Sequence, residues 1–203
     1  MEHSANHILL RGTLSSLPTF SHESHGSRFF RFYLEVPRLS GTVDVLPVVA
    51  EEELLNTFDP SAGEMLTVTG QIRSCNIRSD GHRRLLIFVF ARSIVCEDGE
   101  PVNEVILEGP LCREPTYRRT PLGREICDVM LAVPRAFRRA DYLPCILWGR
   151  TAQEASQCHT SDRILICGRL QSRVYTKITE EGSQERTTYE ISALTAEIPD
   201  SSL

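Results

Sequence analysis

The chain of 203 residues lacks the short motifs of common enzymes and metal sites. It contains no Gly-x-x-x-x-Gly-Lys phosphate loop, no Gly-x-Ser-x-Gly nucleophile elbow and no His-Glu-x-x-His zinc motif. Neither the pair His22 and His25 nor the group Cys158, His159 and Cys167 has the paired spacing of a structural zinc site. We therefore expect no catalysis, no bound metal and no cofactor.

Disulfide frameworks and long apolar runs are also missing. The seven cysteines are an odd number without a Cys-x-x-Cys pair, which does not suit the even framework of a small secreted protein. The longest apolar run, Leu85 to Ala91, has seven residues, whereas a membrane-spanning helix needs about 20. Residues 1–7 show neither a basic nor an apolar leader. We expect a cytoplasmic chain with reduced thiols and no membrane partner.

Lysine is almost absent. Of the 22 basic residues, 21 are Arg and one is Lys177. Arginine binds phosphate with a planar fork and stacks on bases, so this bias favours nucleic acid, although a compositional preference of the genome explains it equally well. The net charge of −5 excludes a protein whose whole surface coats a polyanion. Residues 113–150 nevertheless hold eight Arg against four acidic residues, so any polyanion site must be local.

The sequence contains an internal repeat. Residues 8–50 align with residues 105–147 at a constant shift of 97, without a gap. The shift grows to 98 where Gly70 meets Gly168, and to about 102 near the end of each copy. A repeat of this length predicts two copies of one domain. The expected boundaries are 1–96 for the first module, 97–102 for an acidic linker and 103–199 for the second module.

Alternating apolar residues predict β-strands in each copy. Every second residue of 30–36 is apolar, and the matching stretch 127–133 keeps this alternation, so this face is the core. Phe29, Arg31 and Tyr33 then face outward, where they are compatible with an interface. Further strands are predicted at 7–14, 43–50, 64–74 and 84–95, and turns at 15–27 and 75–83.

A short helix is predicted between the third and fourth strands of each copy. In the second copy a capping box from Thr151 to Glu154 predicts the start of this helix. Five antiparallel strands with one helix in this place are typical of the OB-fold, a small barrel. We therefore predict an all-β protein of two tandem OB-fold barrels, and a repeated five-stranded sandwich is the alternative.

Three segments of the second copy, 141–155, 163–177 and 186–192, carry a more specific signal. An apolar strand ends in Trp148-Gly149-Arg150, a short helix follows, and a Gly-Arg-Leu-Gln-Ser-Arg strand then places Tyr175 near its end. In this order the segments resemble the bacterial single-stranded DNA-binding protein family. The first copy matches only through the repeat and lacks the aromatic-Gly-Arg element.

The resemblance implies a non-catalytic protein that binds single-stranded DNA without sequence preference in DNA replication, recombination or repair. It also implies a location at the nucleoid and a homodimer that forms a four-barrel assembly, with replication or recombination proteins as further partners. The alternative is a protein-interaction scaffold of the same machinery with little DNA affinity. An RNA-binding or oligosaccharide-binding barrel also fits the fold.

Strand binding of this kind needs aromatic rings for stacking and cations along the phosphates. The residues expected to contact DNA are aromatic or basic and lie in the second copy: Trp148, Tyr175, Arg173, Arg169, Lys177, Arg150, Tyr142, Tyr117, Arg118, Arg119, Arg124, Arg138 and Arg139. Trp148 alternatively plugs the barrel end, and Tyr142 alternatively packs inside. The first-copy counterparts Phe20, Arg28, Arg31 and Arg73 are expected to contribute less.

Overall fold

The chain forms two β-barrels that share one continuous sheet. We describe them from a computed structural model, which covers residues 5–56, 61–79, 82–179 and 182–198; the side chains of residues 79, 82, 83 and 177–179 lie outside the described part.

The two halves of the chain repeat the same order of elements. The first barrel comprises β1 (Asn6–Ser24), β2 (Ser27–Pro37), β3 (Val43–Glu51), the helix α1 (Glu52–Leu55), β4 (Met65–Ser79) and β5 (His82–Cys96). The second barrel comprises β6 (Val102–Pro110), β7 (Thr116–Arg119), β8 (Glu125–Arg135), a 3₁₀ turn (Ala136–Arg138), β9 (Arg139–Trp148), the helix α2 (Gly149–Ala155), β10 (Arg163–Thr179) and β11 (Gly182–Glu197).

Each barrel closes through one parallel strand pair, whereas antiparallel strands are predicted throughout. Val48 of β3 lies opposite Val89 of β5, and Cys145 of β9 lies opposite Ile191 of β11, both in parallel pairs. Strand direction cannot alternate at every step around a ring of five strands, because five is odd, so one pair must be parallel. With this correction, the all-β class and the two tandem OB-fold barrels are confirmed.

The first strand of the second barrel is divided, so this barrel has six strands instead of five. β6 pairs with β10, β7 pairs with β8, and an isolated bridge from Leu111 to Leu131 continues the strand between them. Pro115 lies in the break and has no N–H group to donate to a neighbouring strand.

The predicted turns at 15–27 and 75–83 are wrong for most of their length. β1 continues through irregular pairing to Ser24, opposite Ser27 of β2, and β4 pairs with β5 as far as Ser79 and His82. These strand ends project from the barrels, so neither face is buried and the sequence shows no apolar alternation there. The projecting β4–β5 and β10–β11 hairpins matter for the sites below.

The two barrels meet along β1 and β6. These strands pair antiparallel from Asn6 opposite Leu107 to Arg11 opposite Val102, which joins the eleven strands of the described residues in one sheet. Ile8 lies opposite Val105, and these residues are equivalent in the repeat. The barrels are therefore related by an approximate twofold axis at this pair. The sheet runs through both barrels and does not mark where one module ends. The division of the chain at 97–102 therefore stays a prediction.

A glycine bends each long strand at the same point, as the repeat predicts. Gly70 and Gly168 lie at register shifts of β4 and β10. A Cβ atom added at Gly70 would collide with the carbonyl oxygen of Phe90, and one at Gly168 with that of Ser192. The bend that closes each barrel therefore needs a residue without a side chain.

All seven cysteines are free. Cys127 and Cys145 are buried as expected of structural thiols, whereas Cys167 is partly exposed because it faces outward from β10 beside the bulge. Within the described residues, no helix is long and apolar enough to cross a membrane. Nor do three or more His, Cys, Asp or Glu side chains cluster there in a way that would hold a metal ion.

Candidate nucleic-acid interface

Several predicted contact residues lie on one outer surface of the second barrel. Tyr142 and Trp148 share the outer side of β9 by strand alternation, and Arg169, Arg173 and Tyr175 share that of β10. The three aromatic side chains are 46%, 37% and 40% exposed in sequence order, so none belongs to the core. We call these five residues the second-barrel face.

Trp148 of β9 contacts β11, the strand that lies between β9 and β10 in the sheet. Its indole Nε1 donates a hydrogen bond to Ser192 Oγ at 3.1 Å, and Ser192 lies opposite Arg169 in the β10–β11 register. The ring therefore lies against β11 on the outside of the barrel. Arg169 Nε is buried and has no hydrogen-bond partner within the part of the chain that the structure describes.

Two acidic side chains on the outer surface of the second barrel, Glu190 and Asp128, have hydrogen-bond donors beside them. Glu190 accepts a hydrogen bond from Gln171 Nε2 at 2.8 Å. Asp128 accepts one from Arg118 Nε at 2.6 Å, and this hydrogen bond raises the pKa of Arg118. The local negative charge is thus partly compensated by neighbouring donors.

Three of the predicted arginines are held in ion pairs. Besides the Arg118 pair, Arg119 contacts Glu125 at 3.0 Å and Arg150 contacts Glu154 at 2.7 Å. Tyr117 also hydrogen bonds to Glu125, which raises the pKa of its hydroxyl group. Pairing with a carboxylate reduces what these cations can offer to a phosphate, because the ion pair must first open.

The structure does not bring the remaining predicted residues together at one point. Arg124 precedes β8, whereas Arg138 and Arg139 follow it, so they lie at opposite ends of an eleven-residue strand. The backbone of Lys177 pairs with Gln184 in the β10–β11 hairpin, but its side chain lies outside the described part.

A second surface is an open groove of about 1590 Å³ at the junction of the barrels. Its floor is the outer side of β2, β3 and β5, with Phe29, Arg31, Tyr33 and Phe90, and one wall is the β10–β11 hairpin. We call it the junction groove. Tyr175 of the second-barrel face also lines it, so the two surfaces adjoin at this residue.

The hairpin wall is fixed to the first barrel by direct contacts. Arg84 Nη2 donates a hydrogen bond to the carbonyl oxygen of Thr187 at 3.1 Å. Burial raises the pKa of Tyr189, as does nearby Tyr33, whereas the charges of Arg84 and Arg31 lower it. The Tyr189 ring therefore lies among the residues of the groove.

Of the first-copy counterparts, Arg31 and Arg73 line the junction groove. Phe20 and Arg28 belong to a separate cluster, in which the guanidinium of Arg28 lies 5.6 Å from the Phe20 ring centre and pairs with Glu52. Phe90 and Arg84 are not among the predicted contacts. Their signal in the sequence is weak, because Leu85 to Ala91 reads as a continuous apolar run.

Known proteins match both the sequence and the fold. The model of the Single-strand binding protein family matches residues 102–198. Single-stranded DNA-binding protein B of Bacillus subtilis (strain 168) is 38% identical over 87 residues, which cover 39% of this chain and 75% of that protein. The relative from Oceanobacillus iheyensis is 33% identical over 95 residues, which cover 43% of this chain and 56% of that protein. The chain thus spans about half the length of this relative.

Two solved structures match across both barrels. The wild-type single-stranded DNA binding protein from Thermus aquaticus aligns with a TM-score of 0.78 and 25% identity, over 96% of this chain and 93% of that one. A deletion mutant of the same protein has a TM-score of 0.79 at 24% identity, over 100% of this chain and 98% of that one, and shows the same fold. By the sequence match to the Bacillus subtilis protein and the family model, this chain belongs to the single-strand binding protein family.

Proposed function

We propose that this protein binds single-stranded DNA without sequence preference and without chemistry. The observation that carries the proposal is the second-barrel face, where three rings stay exposed beside Arg169 and Arg173. Exposed rings can stack unpaired bases, each worth roughly 1–3 kcal/mol, and guanidinium groups can follow the phosphates. The relatives from Bacillus subtilis and Oceanobacillus iheyensis are both named single-stranded DNA-binding proteins, which supports the same ligand.

Within this proposal the aromatic residues have the main role. Trp148 and Tyr175 stack bases, and Arg173 contacts the phosphates between them. The arginines held in ion pairs contribute to DNA binding through their electrostatic fields, or directly after the ion pairs open: Arg118, Arg119 and Arg150. The biological setting is DNA replication, recombination or repair at the nucleoid, because these processes expose single strands.

The test is a titration of fluorescently labelled oligothymidine, followed by anisotropy. We expect affinity to fall as salt rises, with a log–log slope of about −0.7 per neutralised phosphate. The double variant Tyr175→Leu with Arg173→Gln should bind at least about tenfold more weakly, since it loses one stacking ring and one cation.

The matched control is Phe20→Leu with Arg28→Gln, which removes the same two residue types outside both surfaces. Equal losses in the two double variants would reject the second-barrel face as the binding site. A wild-type chain that binds no oligothymidine at low salt would instead favour a protein-interaction scaffold. The net charge of −5 and the paired arginines are the observations in favour of that scaffold.

We also propose that two chains pair into a four-barrel assembly. The six strands β5, β4, β1, β6, β10 and β11 present a broad outer face at the barrel junction. Val95 and Ile106 on this face are 48% and 38% exposed. A second copy would bury these apolar side chains. Sedimentation equilibrium should give twice the chain mass, and Ile106→Glu should shift the chain to monomer; a monomeric wild type would contradict the pairing.

A further inference from the structure

The turn between β8 and β9 carries an aromatic ring that is almost fully exposed. Phe137 is the middle residue of this three-residue turn, which begins after Arg135 and ends before Arg139, where the two strands pair. Its side chain is 93% exposed and does not belong to the core. The turn lies outside the junction groove. Burial in the barrel therefore does not account for this ring.

The backbone of the turn is strained. Phe137 has φ 60° and ψ 37°, and Arg138 has φ 55°, so two consecutive residues with side chains lie in the left-handed region. In the repeat Arg138 corresponds to Gly41, which makes the equivalent turn of the first barrel with φ 85°. A glycine thus serves the turn without strain, whereas the second barrel keeps two large side chains there. Strain of this kind is concentrated at functional sites.

Unpaired positive charge accompanies the ring. Arg138 and Arg139 follow it directly and are exposed, and neither forms an ion pair within the part of the chain that the structure describes. Arg135, on the other side of the ring, is tied to Asp141. The first-barrel turn contains no second cation, because residues 39–42 are Leu, Ser, Gly and Thr. The combination of ring and free cations therefore belongs to the β8–β9 turn alone of the two equivalent turns.

This combination suits the end of a DNA duplex better than a run of unpaired bases. A single strand needs several rings in a row, but none of the ring contacts among the described residues involves Phe137. The last base pair of a duplex, in contrast, presents one flat face that a single apolar ring can cover, and Phe is among the side chains that proteins insert against base steps. The duplex also has a denser phosphate charge than a single strand.

The turn lies next to the proposed path of the single strand. Tyr142 follows Arg139 by three residues, which is about 10 Å along an extended strand, and it shares the outer side of β9 with Trp148. We infer that the β8–β9 turn binds the end of the duplex from which the bound single strand emerges. Phe137 stacks on the last base pair, and Arg138 and Arg139 contact phosphates beside it. The inference rests on the proposed function, since the strand on the second-barrel face brings the duplex to the turn.

The experiment compares a labelled oligothymidine of about 12 nucleotides, within the roughly 4–16 that one barrel of this type covers, with a DNA hairpin that carries the same tail at its 3′ or its 5′ end. A strand on the second-barrel face has one direction, so one tail polarity places the duplex at the turn. We expect anisotropy titrations to show at least about tenfold tighter binding of that tailed hairpin than of oligothymidine. Equal affinities for all three DNAs would overturn the inference and favour a protein contact at the turn.

Variants of the ring test its role in stacking. Phe137→Leu should bind the tailed hairpin no more tightly than oligothymidine, because leucine has no flat face, whereas Phe137→Trp should keep the preference. The affinity for oligothymidine should stay unchanged in both. Leu39→Ala is the matched control, since Leu39 is fully exposed in the equivalent turn of the first barrel, and it should bind like the wild type. A preference that persists in Phe137→Leu would overturn the inference.

Phe137→Gly separates binding from folding. Glycine adopts a positive φ without strain, so this variant should keep or raise the urea midpoint of unfolding and still lose the preference for the tailed hairpin. A lower midpoint would show that the ring has a structural role, and would overturn the inference.

Exchange of the two cations gives an independent readout. Arg138→Gln with Arg139→Gln should make the log–log salt dependence of tailed-hairpin binding shallower by about 1.8, which corresponds to two duplex phosphates. Both side chains are exposed, so the variant should fold. An unchanged slope would contradict the inference. A wild type that binds neither the tailed hairpins nor oligothymidine would overturn the proposed function instead.

Discussion

Asp44 of the first barrel and Asp141 of the second occupy equivalent positions in the repeat, and each accepts a hydrogen bond from the opposite barrel. Asp44 Oδ1 accepts from the N–H of Ser172, and Asp141 Oδ1 accepts from the N–H of Ser74, both at 2.7 Å. Both carboxylates are fully buried. Because a buried carboxylate requires surrounding donors, this reciprocal pair fixes the orientation of the barrels and of the β4–β5 and β10–β11 hairpins.

Removal of one of these carboxylates should strongly destabilise the protein. Arg73 and Arg135 also donate to Asp141, so Asp141→Ala leaves two partly buried guanidinium groups without their carboxylate partner. We expect the free energy of unfolding to fall by about 3–5 kcal/mol. Urea denaturation followed by circular dichroism measures this change.

The control is Asp128→Ala, which breaks the more exposed pair with Arg118 in the same barrel. Such a pair contributes about 0–1 kcal/mol. If the two substitutions lowered the free energy of unfolding equally, the proposed importance of the junction carboxylate would be wrong.

The glycine in β10 should tolerate no side chain. In Gly168→Ala the new methyl group meets the backbone oxygen of Ser192, which cannot move without breaking the barrel closure. We expect a loss of about 1–3 kcal/mol in the free energy of unfolding. Gly99→Ala should change it little, because there the methyl group meets only the flexible side chain of Arg11. Thermal denaturation of both variants provides the comparison.

The cysteines should differ widely in reactivity. Burial raises the pKa of Cys127 to about 11 and raises that of Cys145 further, so both stay protonated at pH 8. Cys96 and Cys112 are exposed. Mass spectrometry after brief treatment with iodoacetamide should find Cys96 and Cys112 modified, and Cys127 and Cys145 unmodified until the chain is unfolded in urea. Early modification of Cys145 would contradict its burial.

The two barrels should unfold as one unit, because β1–β6 pairing and the reciprocal carboxylates connect them. Leu34 is fully buried in the first barrel, whereas the single tryptophan, Trp148, lies in the second. Leu34→Ala should therefore lower the urea midpoint reported by Trp148 fluorescence, by an amount corresponding to about 2–5 kcal/mol. An unchanged fluorescence midpoint, with an earlier transition in circular dichroism, would mean that the barrels unfold separately.

Much of the fold follows from the sequence because burial leaves a periodic trace. Alternation across 30–36 and 127–133 marks the core strands, and the repeat transfers each assignment from one copy to the other. The projecting parts of the hairpins leave no such trace, since both of their faces are partly solvated. There the two arms of each hairpin pair with each other, outside the apolar core.

The candidate site divides in the same way. Arg169, Arg173 and Tyr175 share a face because strand alternation alone requires it. The link from Trp148 to Ser192 and the closeness of Tyr189 to Tyr33 arise between segments that are far apart in the chain. No local pattern marks such contacts.

Sequence by itself determines that this protein is a duplicated barrel of the single-strand binding family, because periodicity, repeat and motif are local properties of the chain. Tertiary structure alone decides that the copies share one sheet, that Asp44 and Asp141 each reach into the opposite barrel, and that a hairpin of the second barrel forms the wall of a groove on the first. The physical reason is that these features depend on how two folded surfaces fit together. Phe29 and Arg84, for example, line the same groove only after the barrels have packed against each other.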